Sequence, residues 1–544
     1  MNNKFDINSI PAEKFEFANT GKKIHDKKFD DKPIGYFKDA WIRFRKNKAS
    51  VFATAIILLI MLYSILTPLF NFNYDSTFMD PYYSKKGPKI TWMAQNMGIM
   101  NGGVDRTGTE RNLFWLISTG IAAEHTPEAL KNKDKITIAD GLESKYSPIG
   151  GYRFSHNGPD NKPRYNYTVD AYLEVGFRYM QVSQAELAKI EAWQQENGIQ
   201  VLYPLIAENE YTYHHADSAN DPNFWFKTST DGKGNNNKKG DPVKTTLNSD
   251  GTVRETKIKY EETATLEDNY LRDEEGNLVY AKAAGGGDNE TAERKVRVLY
   301  HNYYIYQNGF EPNYIFGTDS QGYDLALRMA DGVRLSLIIA FLVSIVNFIV
   351  GAIWGAISGY YGGVIDLTME RITDILNGIP SVVVMSLFQI HLAQKVGPIP
   401  SLLFAFFLTG WIGMSSRVRT QFYRFKNQEY VMAARTLGAR DWRIIWKHIF
   451  PNTLGTIITG SVLAIPGVIF TESMLSYLGI VNLGGQDITS LGTLLSAASQ
   501  TSWQNYPHLM VFPALIISLL MICFNLFGNG LRDAFNPSLR GVEE

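Results

Sequence analysis

Long uncharged runs and one broad polar stretch divide this chain. The first run covers 51–69, and five more occupy 335–359, 379–394, 399–416, 453–478 and 509–527. Each approaches the ~20 apolar residues that a membrane-crossing helix needs, so the pattern predicts six spans. The run at 379–394 is the weakest, because Gln389 and His391 interrupt it. Within 453–478, Pro466-Gly467 predicts a kink. Ahead of the first run, Tyr36, Phe37, Ala40, Trp41 and Phe44 fall on one face at helical spacing. That face suits a helix lying on a membrane surface.

Residues 71–316 separate the first two runs and are polar, yet rich in Tyr, Phe and Trp. Such a composition can build a core and argues for a folded domain. Ser183 and Glu186 have the spacing of a capping box that opens a helix closed by Asn197-Gly198. Segments 244–247 and 252–260 flank Asn248-Ser-Asp-Gly251 as a hairpin, and 296–306 reads as a strand. A mixed α+β domain is expected, with loops at 216–243 and 284–290.

Charge orients these elements. Arg43, Arg45, Lys46 and Lys48 precede the first run, and 417–447 carries eight basic side chains. By contrast 395–398 carries one lysine and 479–507 no lysine or arginine. Basic loops stay cytoplasmic, which puts both chain ends and 417–447 inside and 71–316 outside. The first forty residues lack an apolar core, so no cleavable signal peptide is expected. The organisation expected is a cytoplasmic segment with an interfacial helix (1–50), a first span (51–70), an extracytoplasmic domain (71–316), a five-helix core (317–534) and a cytoplasmic tail (535–544). With 53 basic and 54 acidic residues the chain is nearly neutral, which argues against a nucleic-acid partner. Its single cysteine, Cys523, excludes a disulfide within the chain and reads as a packing residue.

The stretch 429–451 (EYVMAARTLGARDWRIIWKHIFP) reads as helix, glycine, helix inside the basic loop. Small Ala433 and Ala434 let a short helix seat in a partner's groove, Gly438 can reverse the chain in the left-handed conformation, and Pro451 is expected to end the second arm. No phosphate-cradling Gly-x4-Gly-Lys-Ser/Thr loop, His-Glu-x-x-His pair or Gly-x-Ser-x-Gly elbow occurs, so nucleotide, metal and hydrolytic chemistry are not indicated. Glu472 is ionisable at membrane depth, a functional candidate by default. Its place late in its run, beside Ser473 and Ser476, favours a structural hydrogen bond instead. Asp366, Glu370, Arg371 and Asp374 oppose Ile365, Met369, Ile372 and Leu376, as on an interfacial helix with a solvated face.

In the coupling signature of ABC importers, Glu-Ala-Ala, three residues, Gly, nine residues, Ile-x-Leu-Pro, this chain has Met432, Ala433, Ala434, Gly438, His448, Phe450 and Pro451; the two alanines, the glycine and the proline match. Further motifs are Gly317-Thr-Asp319, Gly322-Tyr-Asp324, Arg334-Leu-Ser336, Gly359-Tyr-Tyr-Gly-Gly363 with Asp366, Arg371, Asp374 and Pro380, then Glu472, Leu475-Ser-Tyr-Leu-Gly479 and Gly528-Asn-Gly-Leu-Arg-Asp533. On these residues the chain resembles the C-type permease of oligopeptide and dipeptide ABC importers over 33–70 and 315–540. Tyr323 stands where arginine is usual, and Asn529 and Asn536 where aspartate is.

The resemblance implies a mainly α membrane protein of the importer-permease fold with an inserted α+β domain, in the bacterial cytoplasmic membrane. It implies uptake of peptide delivered by an external lipoprotein of the oligopeptide A type. It also implies a second permease of the B type and two ATPases of the D and F types that hold ATP and Mg, so that this subunit is no enzyme and binds no cofactor itself. The coupling residues would be Glu429, Ala433, Ala434, Arg435, Gly438, Ala439, Asp441, His448 and Pro451. Import of nickel, sugars or opines, and a membrane-tethered enzyme, stay open as other readings.

Overall fold

A computed structural model describes residues 36–69, 77–124, 138–159, 163–207, 221–223, 225–228, 243–247, 253–258, 266–268, 270–285, 292–481, 489–501 and 504–535. Five helices are long and apolar enough to cross a membrane: Lys48–Thr67, Leu325–Tyr361, Pro398–Phe425, Asp441–Tyr477 and His508–Phe535. A sixth crossing exists only if Gly363–Asn377 and Ser381–His391, bent by 69° at their junction, count as one. The expected span at 379–394 is thus the eleven-residue helix Ser381–His391, about 16 Å long against the ~30 Å of a bilayer core. Pro380 breaks the path before it. Gln389 closes the hairpin to the next helix, its Nε2 donating to the Pro398 carbonyl at 3.0 Å.

The bundle is closed by small residues. Gly351, Gly355 and Gly359, four apart on the long helix Leu325–Tyr361, lie against Ile412–Phe425. A Cβ on Gly355 would sit 2.2 Å from the Ser415 carbonyl oxygen, and one on Gly359 2.7 Å from the Phe422 Cβ. Backbones approach this closely only over such a stripe. The expected kink is a turn at Leu463 and Ala464, just before Pro466. The expected interfacial face near the N-terminus is partly spent inside the protein. On helix Tyr36–Lys46, Ala40 and Phe44 are buried against Ala534, Phe527 and Leu531 of the last helix.

The described residues of the insert hold both helices and antiparallel strands. One antiparallel sheet runs Gly103–Gly108, Pro163–Asp170, Ile149–Asn157; the other runs Ala281–Gly285, Glu293–Leu299, Phe177–Ser183. Helix Gln184–Asn197 starts where the capping spacing placed it: the Ser183 hydroxyl accepts the Glu186 N–H at 3.1 Å, and Gly198 closes it at φ 66°. The Glu186 carboxylate turns instead to the Tyr306 hydroxyl, at 2.5 Å. The hairpin Val243–Leu247 with Val253–Ile258 is present. The loops expected at 216–243 and 284–290 lie mostly outside the described residues; within them Phe226–Thr228 is a strand paired with Leu266–Asp268.

The strand expected over 296–306 ends at Leu299, and Tyr300–Asn308 is a helix. Tyr300, Tyr303 and Tyr304 recur at three and four residues, which puts their rings on one buried face. A strand would have thrown Tyr303 and Tyr304 to opposite sides. Tyr83, Tyr172 and Tyr314 complete that aromatic core. Arg297 is fully buried without a carboxylate partner among the described residues. Its guanidinium stacks 3.7 Å over Phe177 and donates to the carbonyls of Pro222 at 2.6 Å and Pro204 at 3.1 Å.

The insert is stitched to the bundle by backbone. Gly322 at φ 99° lets the chain pass the Asp80 carbonyl, which a Cβ would meet at 1.9 Å. Asp319 gathers the N–H groups of Gln321, Gly322 and Tyr323, and Asp324 caps the long helix through those of Ala326 and Leu327. That helix then runs about 55 Å to Tyr361, so insert and basic loop sit at opposite ends.

Candidate functional site

The basic loop folds as an elbow. Helix Glu429–Thr436 ends in a pair of reversing hydrogen bonds, from the Ala439 N–H to the Ala434 carbonyl and from the Gly438 N–H to the Arg435 carbonyl, each 3.0 Å. Gly438 has φ 78°, the left-handed value such an end requires. Ala434 is buried beside Val431, whereas Ala433 faces outward with Glu429 and Arg435. Val431 joins Ile444, Ile445 and Ile449 in a core cluster that glues the elbow to the bundle.

Pro451 does not end the second arm. The chain is helical from Asp441 through Pro451 to Val462, widened into a π turn at Ile444–Ile449. In that turn the Phe450 N–H reaches back five residues to Ile445. The wider turn accommodates a residue that has no N–H to offer. His448 sits half-buried within it, its carbonyl taken by Asn452 at 2.7 Å.

Both arms meet one phenol. The Tyr360 hydroxyl, on the last turn of the long helix, donates to Asp441 at 2.5 Å and accepts from Arg435 at 3.3 Å. Tyr360 stands among the glycines of Gly359-Tyr-Tyr-Gly-Gly363, and nothing in that spacing marks it for this role. Next to it, Arg419 grips Asp366 with two bonds of 2.6 and 2.7 Å, and Ser358 and Tyr423 donate to the same carboxylate. Asp366 is therefore buried, not solvated as its helical pattern suggested. Arg371 and Asp374 stay exposed as that pattern suggested, but they share the surface with apolar side chains, Val364 and Ile375 being more than 70% exposed in the isolated chain. The ion pair turns Asp366 alone inward.

Glu472 lies far from the elbow and is 1% exposed. Hydroxyls surround it: Ser336 at 2.9 Å, Ser476 at 3.1 Å, Ser473 at 3.4 Å and that of Ser490. It ties Leu325–Tyr361, Ile465–Tyr477 and the cap of Leu491–Ser499 together, a tether as its neighbours suggested. Tyr323, where arginine was expected, lies 3.7 Å beneath the Arg328 guanidinium. A cation at 323 would be repelled there, and the phenol ring attracts.

Residues 351–541 match the family described as binding-protein-dependent transport system inner membrane component, and 35–88 match the N-terminal TM domain of oligopeptide transport permease C. The chain is 42% identical over 226 residues to the oligopeptide transport system permease protein OppC of Bacillus subtilis, covering 41% of this chain and 72% of that one. The chain belongs to this permease family. This permease is also 39% identical over 225 residues to the dipeptide transport system permease protein DppC of Lactococcus lactis, covering 41% of its own length and 64% of the relative's. Among solved structures, the MetNI methionine ABC transporter shows a TM-score of 0.32 at 16% identity, over 38% of this permease and 96% of that chain, too slight a likeness to add to the assignment. Members of the family are membrane subunits, not enzymes, and this permease is an integral membrane protein. The matched segments leave out most of the insert.

Proposed function

We propose that this chain is one of two permeases of an ATP-driven importer that takes up short peptides delivered by an external binding protein. Two ATPase subunits, holding ATP and Mg, would dock under the elbow at 429–447; the insert would lie outside the cell and both chain ends inside. The observation that carries this reading is the elbow's tip. Leu437 is 87% exposed, Trp442 69% and Met432 58%, on a rigid projection clamped to the long helix by Tyr360. An apolar tip on a stiff mount suits a protein partner. Closure of that partner on nucleotide would drag the elbow, and a helix bundle closed by glycines would pass the movement on as alternating access. The kinship with oligopeptide and dipeptide permeases supports peptide as cargo.

Leu437→Glu tests the reading. Cells carrying it should keep membrane levels of the permease but lose co-purification of the ATPases and uptake of a labelled tripeptide. Retained uptake would refute the docking role, and a wild-type system that moves no peptide would refute the cargo.

A further inference from the structure

A cleft of about 670 Å³ lies where the insert meets the foot of the last span. That volume is in the range of small-ligand sites. Three stretches wall it: 84–88, part of strand Gly103–Gly108, and 504–508 leading into helix His508–Phe535. The 84–88 stretch is held in place, because Gly317 at φ 82° lies so close that a Cβ there would sit 2.3 Å from the Lys86 carbonyl oxygen. Lys86 also donates its N–H to the Thr318 hydroxyl at 2.8 Å. The wall is a fixed surface.

Its charges are unequally satisfied. Arg106 is already engaged by both oxygens of Glu174, and Asp105 accepts from Thr168 at 2.6 Å. Lys85 and Lys86 are not so engaged: among the described residues neither ammonium has a carboxylate within ion-pair distance. The Lys85 Nζ rests 5.9 Å over the Tyr506 ring. Burial pushes the Lys86 ammonium below the usual lysine range, and Glu174, which also lines the cleft but is held by Arg106, offsets this only in part. Gln504 and Asn505 add amide donors and acceptors at the rim.

We propose that this cleft binds the free C-terminal carboxylate of a short peptide through Lys85 and Lys86, with Tyr506 and the rim amides against the peptide chain. The proposal rests on the importer reading above. A concavity closed by three stretches at the foot of a span fits a small ligand better than a projecting loop of a delivering protein. A lysine ammonium recognises a carboxylate as a point charge, without demanding a particular side chain beside it.

The test uses the assembled transporter in nanodiscs without its binding protein, titrated with tri-alanine and with tri-alanine amide. Wild type should bind the acid at least ~10-fold more tightly than the amide, the weight of one charge-assisted contact. Lys85→Gln with Lys86→Gln should erase that preference while basal ATP hydrolysis persists, and Lys86→Arg, which keeps the charge, should retain it. Equal affinity for acid and amide, or a preference that survives the double glutamine variant, overturns the cleft. If wild type transports labelled peptide but does not discriminate the amide, the cleft alone falls; if it transports no peptide, the importer reading falls and takes the cleft with it.

Discussion

Replacing Tyr360 by phenylalanine removes one oxygen and leaves the buried ring in place. That oxygen joins Asp441 on one arm of the elbow and Arg435 on the other, at 2.5 and 3.3 Å. A hydrogen bond to a charged group contributes ~1.5–3 kcal/mol. Asp441 is exposed and recovers part of that from water, so about 1 kcal/mol should be lost, with the longer Arg435 contact adding little. Such a loss shifts the population of clamped elbow by ~5-fold. Because the phenol holds the lever end rather than the exposed tip proposed to meet the ATPases, hydrolysis should persist while its yield falls. In proteoliposomes, peptides moved per ATP consumed should drop several-fold for Tyr360→Phe with basal hydrolysis near wild type. Asp441→Asn should cost a similar amount, and the double variant little more than either, the signature of one shared contact. A stoichiometry unchanged in Tyr360→Phe, or additive losses in the pair, would refute the clamp.

Three further outcomes follow from the geometry. Gly355→Leu should push apart the two helices closed on that stripe, lowering stability by ~1–3 kcal/mol or more and aggregating the protein on size exclusion, while Gly413→Ala, which meets nothing within 4 Å, should behave as wild type. Glu472→Leu strands the serine hydroxyls around it and should cost over ~2 kcal/mol in thermal unfolding, more than Glu472→Gln, whose amide keeps part of the network. Burial pushes the Asp324 carboxyl up to about 6 from its usual 3.8. A raised folded value means the native state holds the proton more tightly, so its contribution is fully present below pH 3.8 and is lost as pH climbs through 6. Asparagine caps a helix equally well without the charge. Asp324→Asn should therefore gain up to ~1–3 kcal/mol on wild type at pH 8, with the gap closing by pH 4; a difference in melting temperature that does not change with pH would refute this.

The membrane plan was legible in the sequence because lipid enforces one rule, long uncharged helices, and the runs at 51–69, 335–359 and 509–527 obey it. Residues 379–394 satisfied the composition but not the path: a proline at 380 and the hairpin bond from Gln389 depend on which neighbours the chain meets. The elbow's glycine was readable because only one backbone conformation makes that turn. Tyr360 and the Arg419–Asp366 pair were not, since their partners are distant in sequence: 81 residues on for Asp441 and 53 for Arg419. Asp366 misled for the same reason. A carboxylate on an amphipathic helix reads as wet until the cation that buries it is known. The glycine stripe at 351, 355 and 359 was a four-residue rhythm open to inspection, hidden only by its setting in an apolar run.

The seam at Gly322, where the insert's backbone is pressed against the start of the long helix, has a mechanical consequence. A stiff rod about 55 Å long that tilts by about 5° carries its far tip through about 5 Å. Since no slack loop intervenes at that seam, a swing begun at the basic end of the rod would arrive at the insert undamped, making that lobe a passenger on the same stroke.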